Sequence, residues 1–295
     1  MIEAAEIRDL LAREWNLHNT EVTVHDGGMN SSTWWVTFDD RRWVAKSVPA
    51  DARSSFEGGL AVATRLQRAG IATGAPVPTL DGRSVTTIAG QPFALLEHVP
   101  GDGLTEADQT AIGTVLGRVH LALLEDLGNA ERFHWVDAHA PHLDVRDWVR
   151  PAVTAALADL DALDAATLTW GMLHTDPAPE AFLRATDGSI GLIDWSVAMY
   201  GPLLYDLASA VMYVGGISCG HALVEAYLGV EADLGVGALD RAEVERGLAT
   251  MLRFRWAVQA DYFARRLTAN DLTGIDDATG NEKGLTDARR ALAAM

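Results

Sequence analysis

The sequence predicts an α+β protein of two lobes, a small β-rich lobe over residues 1–99 and a larger, mainly helical lobe over residues 100–295. Three observations predict it. Short alternating runs rich in β-branched and aromatic residues crowd the first hundred positions, with one strong helical pattern between them. Long stretches of helical spacing dominate the remaining two thirds of the chain. Between the two lies Pro100-Gly101-Asp102-Gly103, a turn-rich junction. At ~150 residues per domain, 295 residues also suit two units.

Taken in order, residues 3–17 carry Ile7, Leu10, Leu11 and Trp15 at helical spacing. Glu21–His25 and Thr33–Phe38 read as strands of a hairpin across the loop Asp26–Ser32, and Arg41–Val48 is a third strand after the turn at Asp39-Asp40. Residues 54–69 are helical and Gly70 ends the helix. Val85–Ile88 and Phe93–Val99 form another hairpin. Helices occupy 105–125, 144–163, 203–214, 221–228 and 240–267. Their only interruptions by strands are Gly171–Leu173, Ala181–Ala185 and Ile190–Asp194, the last two joined by Thr186-Asp187-Gly188. The last 25 residues are polar and read as a loose helix.

Composition narrows the function. The chain is 48% hydrophobic and 22% charged, an ordinary globular balance, with a net charge of −18. So acidic a chain repels phosphate backbones, which argues against nucleic acid as a partner. No apolar run approaches the ~18 residues of a membrane span. One cysteine, Cys219, allows neither an internal disulfide nor a metal cluster. The charged, amphipathic first residues differ from a signal peptide, so a cytoplasmic monomer or homodimer is expected. The acidity is uneven: residues 1–99 carry −3 and residues 100–295 carry −15. Among 23 basic residues only Lys46 and Lys283 are lysine. In a chain that otherwise chooses Arg, a Lys marks a place where the two are not interchangeable.

The segment Leu173-His174-Thr175-Asp176, with Ile193-Asp194-Trp195 downstream, carries the chemistry. Two aspartates flank a short hairpin, each beside apolar strand residues. Phosphoryl transfer uses such a pair: one carboxylate accepts or orients the proton of the attacking hydroxyl, and the other holds Mg2+ against the phosphate. With the downstream run Tyr200-Gly201-Pro202-Leu203-Leu204-Tyr205-Asp206-Leu207-Ala208, the pattern resembles the aminoglycoside phosphotransferase and choline kinase-like family, which has a bilobal protein kinase-like fold.

The resemblance implies roles residue by residue. Asp176 is the base and Asp194 the metal ligand, while Asp206 braces the metal-binding turn. Lys46, in Trp43-Val44-Ala45-Lys46, contacts the α/β-phosphates and pairs with a helix glutamate, for which Glu57 is the only acidic residue in 54–69. The phosphate-cradling loop is Gly27-Gly28-Met29-Asn30-Ser31-Ser32, with Gly27, Gly28, Asn30, Ser31 and Ser32 as contacts. The lobe linker, Glu97 to Val99, offers backbone groups to a purine. His120, in Leu116-Gly117-Arg118-Val119-His120, reads as a buried packing residue. Trp148, Trp256, Asp261 and Tyr262 fall at helical spacing and read first as core or helix-face residues, second as acceptor contacts.

One position departs from the family pattern. Five residues after Asp176 the family has a metal-ligating Asn, and here the residue is Ala181, in a loop stiffened by Pro177 and Pro179. Three outcomes fit: Asp194 holds one metal with water, Glu180 supplies the missing oxygen, or the protein binds nucleotide without turnover. Adjacent strand residues point to opposite faces, so Glu180 substitutes only where the backbone is irregular. The expected activity is an ATP- or GTP-dependent, Mg2+-requiring phosphotransferase acting on a hydroxyl of a small polar, cationic acceptor such as an aminoglycoside, amino sugar or aminoalcohol. The alternative is a pseudokinase-like binding protein.

Overall fold

The structure, a computed structural model, describes residues 2–25, 31–125, 130–231, 237–275 and 277–295. Its first elements are α1 (Ala4–Trp15), β1 (Glu21–His25), β2 (Ser32–Phe38), β3 (Arg41–Ser47), α2 (Arg53–Arg68), β4 (Thr86–Ile88), β5 (Gln91–Glu97) and β6 (Asp102–Gly103). Then come α3 (Gln109–Ala122), β7 (Glu131–Arg132), α4 (Val149–Leu163), β8 (Trp170–Leu173), β9 (Phe182–Arg184), β10 (Ile190–Leu192) and β11 (Met199–Pro202). The chain closes with α5 (Leu203–Tyr213), α6 (His221–Leu228), α7 (Arg241–Ala269) and α8 (Thr279–Ala293).

Contacts divide the chain into two units: Met1–Gly103 with Leu127–Glu131 and Glu180–Met199, and the remainder. The sequence divides it once, at residue 100. The difference has a local cause. β9 pairs with β6, and the backbone N–H of Leu192 donates to Ala72 O at 2.9 Å, so the hairpin that carries Asp194 is built into the first unit.

The first unit is a five-stranded antiparallel sheet in the order β1-β2-β3-β5-β4. Period-two alternation sorts its side chains. Trp34, Val36, Trp43, Ala45, Phe93 and Leu95 point to one face and bury against Ile7, Leu10, Leu11 and Trp15 of α1. The helix is held at its start by Glu6, whose carboxylate accepts from the Glu3 N–H at 2.9 Å. Thr33, Trp35, Val44 and Lys46 alternate with that set and line a cavity on the opposite face. Phe56 and Leu60 of α2 are buried with Val48, Val85 and Ala94 and reach the same cavity.

In the second unit, α4, α7 and α8 share one core through Val153, Ala156, Ala257, Ala260, Ala264, Leu285 and Ala288. The C-terminal helix is therefore docked and not loose: Leu285 and Ala288 are fully or almost fully buried, and Arg266, also buried, donates to Asn281 at 2.9 Å. Polar residues that looked like a solvated helix are the outer face of an amphipathic one. The helices α3 and α6 touch through backbone at Gly113, where a Cβ would lie 2.1 Å from Leu223 O. Strands β6, β7 and β11 carry little alternation and appear only through their pairing. No described helix is long and apolar enough to cross a membrane.

Candidate active site

The cavity of the first unit, about 170 Å3, contains the predicted lysine. Lys46, 7% exposed, donates from Nζ to Asp194 Oδ1 at 2.5 Å and to Ser196 Oγ at 3.0 Å. The Ser196 hydroxyl also donates to Asp194 Oδ1, at 2.8 Å. Since the Asp194 side chain is 58% exposed, this pair adds at most about 1 kcal/mol to stability. Its effect is to aim a cation and a carboxylate at one spot in the cavity.

Several features fix that aim. Asp194 takes φ +71°, a left-handed conformation held by the residue after it. That residue, Trp195, is buried, and its indole N–H donates to Leu192 O at 2.7 Å. Gly59 of α2 lets the turn approach, because any Cβ there would sit 1.8 Å from Trp195 O. Asp194 thus rests on helix backbone.

Glu97 and Val99 also line the cavity, as expected for the linker. The Glu97 N–H is engaged by Ala75 O at 2.9 Å, and its carboxylate accepts from Gln67 at 2.9 Å. Sequence reading overlooked an aromatic group on the same wall. His25 stacks on Trp35 with ring centroids 4.5 Å apart, His98 meets Trp35 edge-on at 5.5 Å, and Arg42 lies 5.0 Å over the Trp35 ring. Burial, helped by the charge of Arg42, holds the His98 imidazole below its usual 6.5.

Two expected residues do not reach this site. Glu57 is exposed and accepts from Arg53 at 2.9 Å, one turn back along α2, so it is not the partner of Lys46. Helix phase explains this: Phe56 faces the cavity, and the next residue is rotated by about 100°. Ser31 lines the cavity, but Ser32, one position on along the pleat, is exposed on the other face. Gly27, Gly28 and Asn30 lie outside the described residues.

Glu180 lies in a 3-10 turn, Pro179–Ala181, and so meets the expected condition of irregular backbone. It is exposed and its backbone packs over Gly103. The Ala181 carbonyl accepts from the Ile193 N–H at 2.9 Å, while its small side chain is buried. No group of three or more His, Cys, Asp or Glu gathers among the described residues. Mg2+ takes one or two carboxylates and fills its remaining positions with phosphate oxygens and water, so Asp194 and the Ser196 hydroxyl fit that ion.

In the second unit β8 ends at His174-Thr175-Asp176, and a fully buried Asp206 at the start of α5 anchors that loop. Its carboxylate accepts from the His174 N–H at 2.6 Å and the Thr175 N–H at 2.8 Å. His120 Nε2 lies 3.2 Å from the same carboxylate, and its Nδ1 lies 2.7 Å from the Tyr227 hydroxyl. Asp206 therefore braces the loop of Asp176. His120 is buried as expected, and it also holds the brace. Thr175 adopts φ +75°, a strained conformation for a β-branched residue that these bonds maintain.

The Asp176 side chain is 54% exposed, and two donors that sequence reading missed converge on its Oδ1. The Tyr213 hydroxyl donates at 2.5 Å, and Arg255 donates from a terminal nitrogen at 3.0 Å. Arg255 is itself buried and donates from Nε to Ser209 Oγ at 3.0 Å. Burial opposes its charge, but Tyr205, Asp176 and Tyr213 outweigh that and hold the guanidinium more firmly protonated. Burial pushes the Tyr205 hydroxyl up to about 12, so it stays neutral. Tyr205, Phe133, Trp135 and Phe254 form a continuous aromatic cluster, with ring centroids 4.6 to 6.4 Å apart. Of the acceptor candidates, Trp148 and Trp256 pack on the α4/α7/α8 core, Asp261 binds His142 Nε2 at 2.6 Å, and Tyr262 packs on Phe263, and all four are partly exposed.

Comparison with known proteins gives the family and the fold. A homoserine kinase of Methylobacillus flagellatus is 29% identical over 194 residues, which cover 62% of this chain and 60% of that protein. One from Beijerinckia indica is 30% identical over 160 residues, half of each chain. The matches thus span about half to three fifths of those relatives. Among solved structures, an amicoumacin kinase in complex with AMP-PNP and Ca2+ aligns over 99% of this chain and 93% of its own, with TM-score 0.69 and 19% identity. The choline kinase LicA from Streptococcus pneumoniae aligns over 98% of this chain and 98% of its own, with TM-score 0.67 and 13% identity. The fold is thus the protein kinase-like one. The model of the phosphotransferase enzyme family matches residues 21–242, from β1 to the start of α7, and the chain belongs to that family.

Proposed function

We propose that the protein is a Mg2+- and ATP-dependent O-phosphotransferase acting on a hydroxyl of a small, amine-bearing acceptor. The observation that carries this reading is the Lys46 ammonium 2.5 Å from the Asp194 carboxylate inside the linker-lined cavity. A buried ammonium beside a half-exposed carboxylate suits a triphosphate with its metal. In this reading Lys46 holds the phosphates, Asp194 and the Ser196 hydroxyl hold Mg2+, and the linker backbone and Trp35 receive the base. Bound there, Mg2+ neutralises charge on the transferring phosphate. Asp176 orients the acceptor hydroxyl and takes its proton.

Two facts support an amine on the acceptor. The charge of residues 100–295 is −15, which favours cations, and the curated relatives are homoserine kinases, whose acceptor pairs a hydroxyl with an ammonium. ATP as donor is supported by the AMP-PNP and ADP bound to structural neighbours. Ala181 favours a second reading, a nucleotide-binding protein without turnover, because the side chain cannot ligate a metal.

One screen separates them. Homoserine, choline, amino sugars and aminoglycosides are incubated with Mg2+ and either ATP or GTP, and phosphate is traced onto the acceptor. Transfer to an amine-bearing alcohol from ATP supports the proposal, and Glu180→Gln then shows whether a second carboxylate matters. Nucleotide-dependent thermal stabilisation with no transfer to any acceptor supports the binding protein. Neither stabilisation nor transfer ends both readings.

A further inference from the structure

We propose that Arg255 is a positioning residue for the reaction: with Tyr213 it fixes Oδ1 of Asp176 so that Oδ2 is presented to the acceptor hydroxyl. The inference rests on Asp176 being the base of the proposed phosphotransferase. Both donors reach the same oxygen, at 3.0 Å and 2.5 Å, and among the described residues no hydrogen bond falls on Oδ2.

The burial of the pair is lopsided, and that asymmetry argues against a stabilising role. Arg255 is 7% exposed while the Asp176 side chain is 54% exposed. A half-exposed carboxylate is already well solvated, so pairing it gains little stability, whereas burying a guanidinium is costly without compensation. The chain meets that cost by satisfying Arg255 from several sides. Its Nε donates to the buried Ser209, and its guanidinium carbon lies 6.0 Å over the Tyr213 ring. Arg255 is thereby rigid, and its planar fork bridges Ser209 and Asp176 in a way a Lys cannot. The outcome is one carboxylate oxygen held at a fixed place.

This arrangement matches the chemistry. In phosphoryl transfer the acceptor oxygen forms its bond to the γ-phosphorus as the bond from that phosphorus to the bridging oxygen breaks, the nucleoside diphosphate leaves, and the acceptor proton passes to Asp176 Oδ2. Bond formation to the acceptor is late in a loose transition state, so orienting the hydroxyl counts for more than base strength. A carboxylate whose Oδ1 is held by Arg255 and Tyr213 serves that need.

The test measures phosphate transfer in Arg255→Met, Arg255→Lys, Tyr213→Phe and Asp176→Asn against the parent, with kcat and the nucleotide KM determined for each. Arg255→Met is expected to lower kcat about 100-fold with nucleotide KM unchanged. Arg255→Lys should recover only part of kcat, and Tyr213→Phe should lower kcat, each with nucleotide KM unchanged. Where Arg255→Met fails to fold, Arg255→Lys and Tyr213→Phe decide alone: parental kcat in both overturns the inference. Parental kcat in a folded Arg255→Met also overturns it. Full activity in Asp176→Asn instead overturns the reading of Asp176 as base, a separate result.

Discussion

Lys46 Nζ donates to Asp194 Oδ1 at 2.5 Å, so the cation expected to clamp phosphate is held by the carboxylate expected to bind the metal, and not by Glu57. An ammonium that loses Asp194 retains Ser196 at 3.0 Å, so the local structure survives removal of the carboxylate.

Asp194→Ala is therefore expected to fold with a loss of about 1 kcal/mol while abolishing Mg2+-dependent stabilisation by ATP. Thermal melts with ATP, with and without Mg2+, check this. A variant still stabilised in a Mg2+-dependent manner would place the metal elsewhere.

Gly59→Ala sets two effects against each other. In an exposed helix the change would favour folding by about 1 kcal/mol. Here the new Cβ would lie 1.8 Å from Trp195 O, and both partners are backbone. The clash wins, with a net loss of about 1–3 kcal/mol and weaker nucleotide binding, because the turn carrying Asp194 must move. Chemical denaturation and a nucleotide titration measure the two parts.

Asp206→Asn would turn one acceptor oxygen into a donor facing the N–H groups of His174 and Thr175 and the ring of His120. The site is fully buried, so the mismatched donors cost about 3 kcal/mol and the Asp176 loop loses its anchor. Denaturation midpoints and transfer rates should fall together, whereas Asp176→Asn should lower only the rate.

His98 gives a pH signature. Burial and Arg42 lower its pKa from 6.5, so the folded protein binds fewer protons than the unfolded chain as pH falls through that value. The stability it contributes is complete above about 6.5 and declines below it, toward the lowered folded value. Melting temperatures from about pH 7.5 to about pH 5.5 should fall more steeply in the parent than in His98→Gln. Equal slopes would exclude His98 as the source of the pH dependence.

Most of the frame was readable because its patterns are local. The alternation of Trp34, Val36, Trp43 and Ala45 marks β2 and β3, and the same alternation puts Lys46 on the face opposite the core. The aspartates at 176, 194 and 206 stand in motif runs, which is why they could be picked out, and Asp206 grips the Asp176 loop. The features that escaped depend on three-dimensional phase. Glu57 looked suitable by count, yet it lies next to Phe56, the residue that faces the cavity. Arg255 is 79 residues from Asp176. Its one signal was a charge on a buried stripe, since Leu248, Met251 and Leu252 precede it at helical spacing and are all buried. Gly59 and Ser196 gave no signal, because a close approach of backbones leaves no trace in either segment alone.

The most direct test traces γ-labelled phosphate from Mg2+-ATP onto an amine-bearing alcohol in the parent protein and in Asp176→Asn. Labelled acceptor is expected with the parent and a loss of about 100-fold or more in the variant, with nucleotide binding intact. Equal transfer by both proteins, or none by the parent with any such acceptor, would contradict the assignment of Asp176 as the base of a small-molecule kinase.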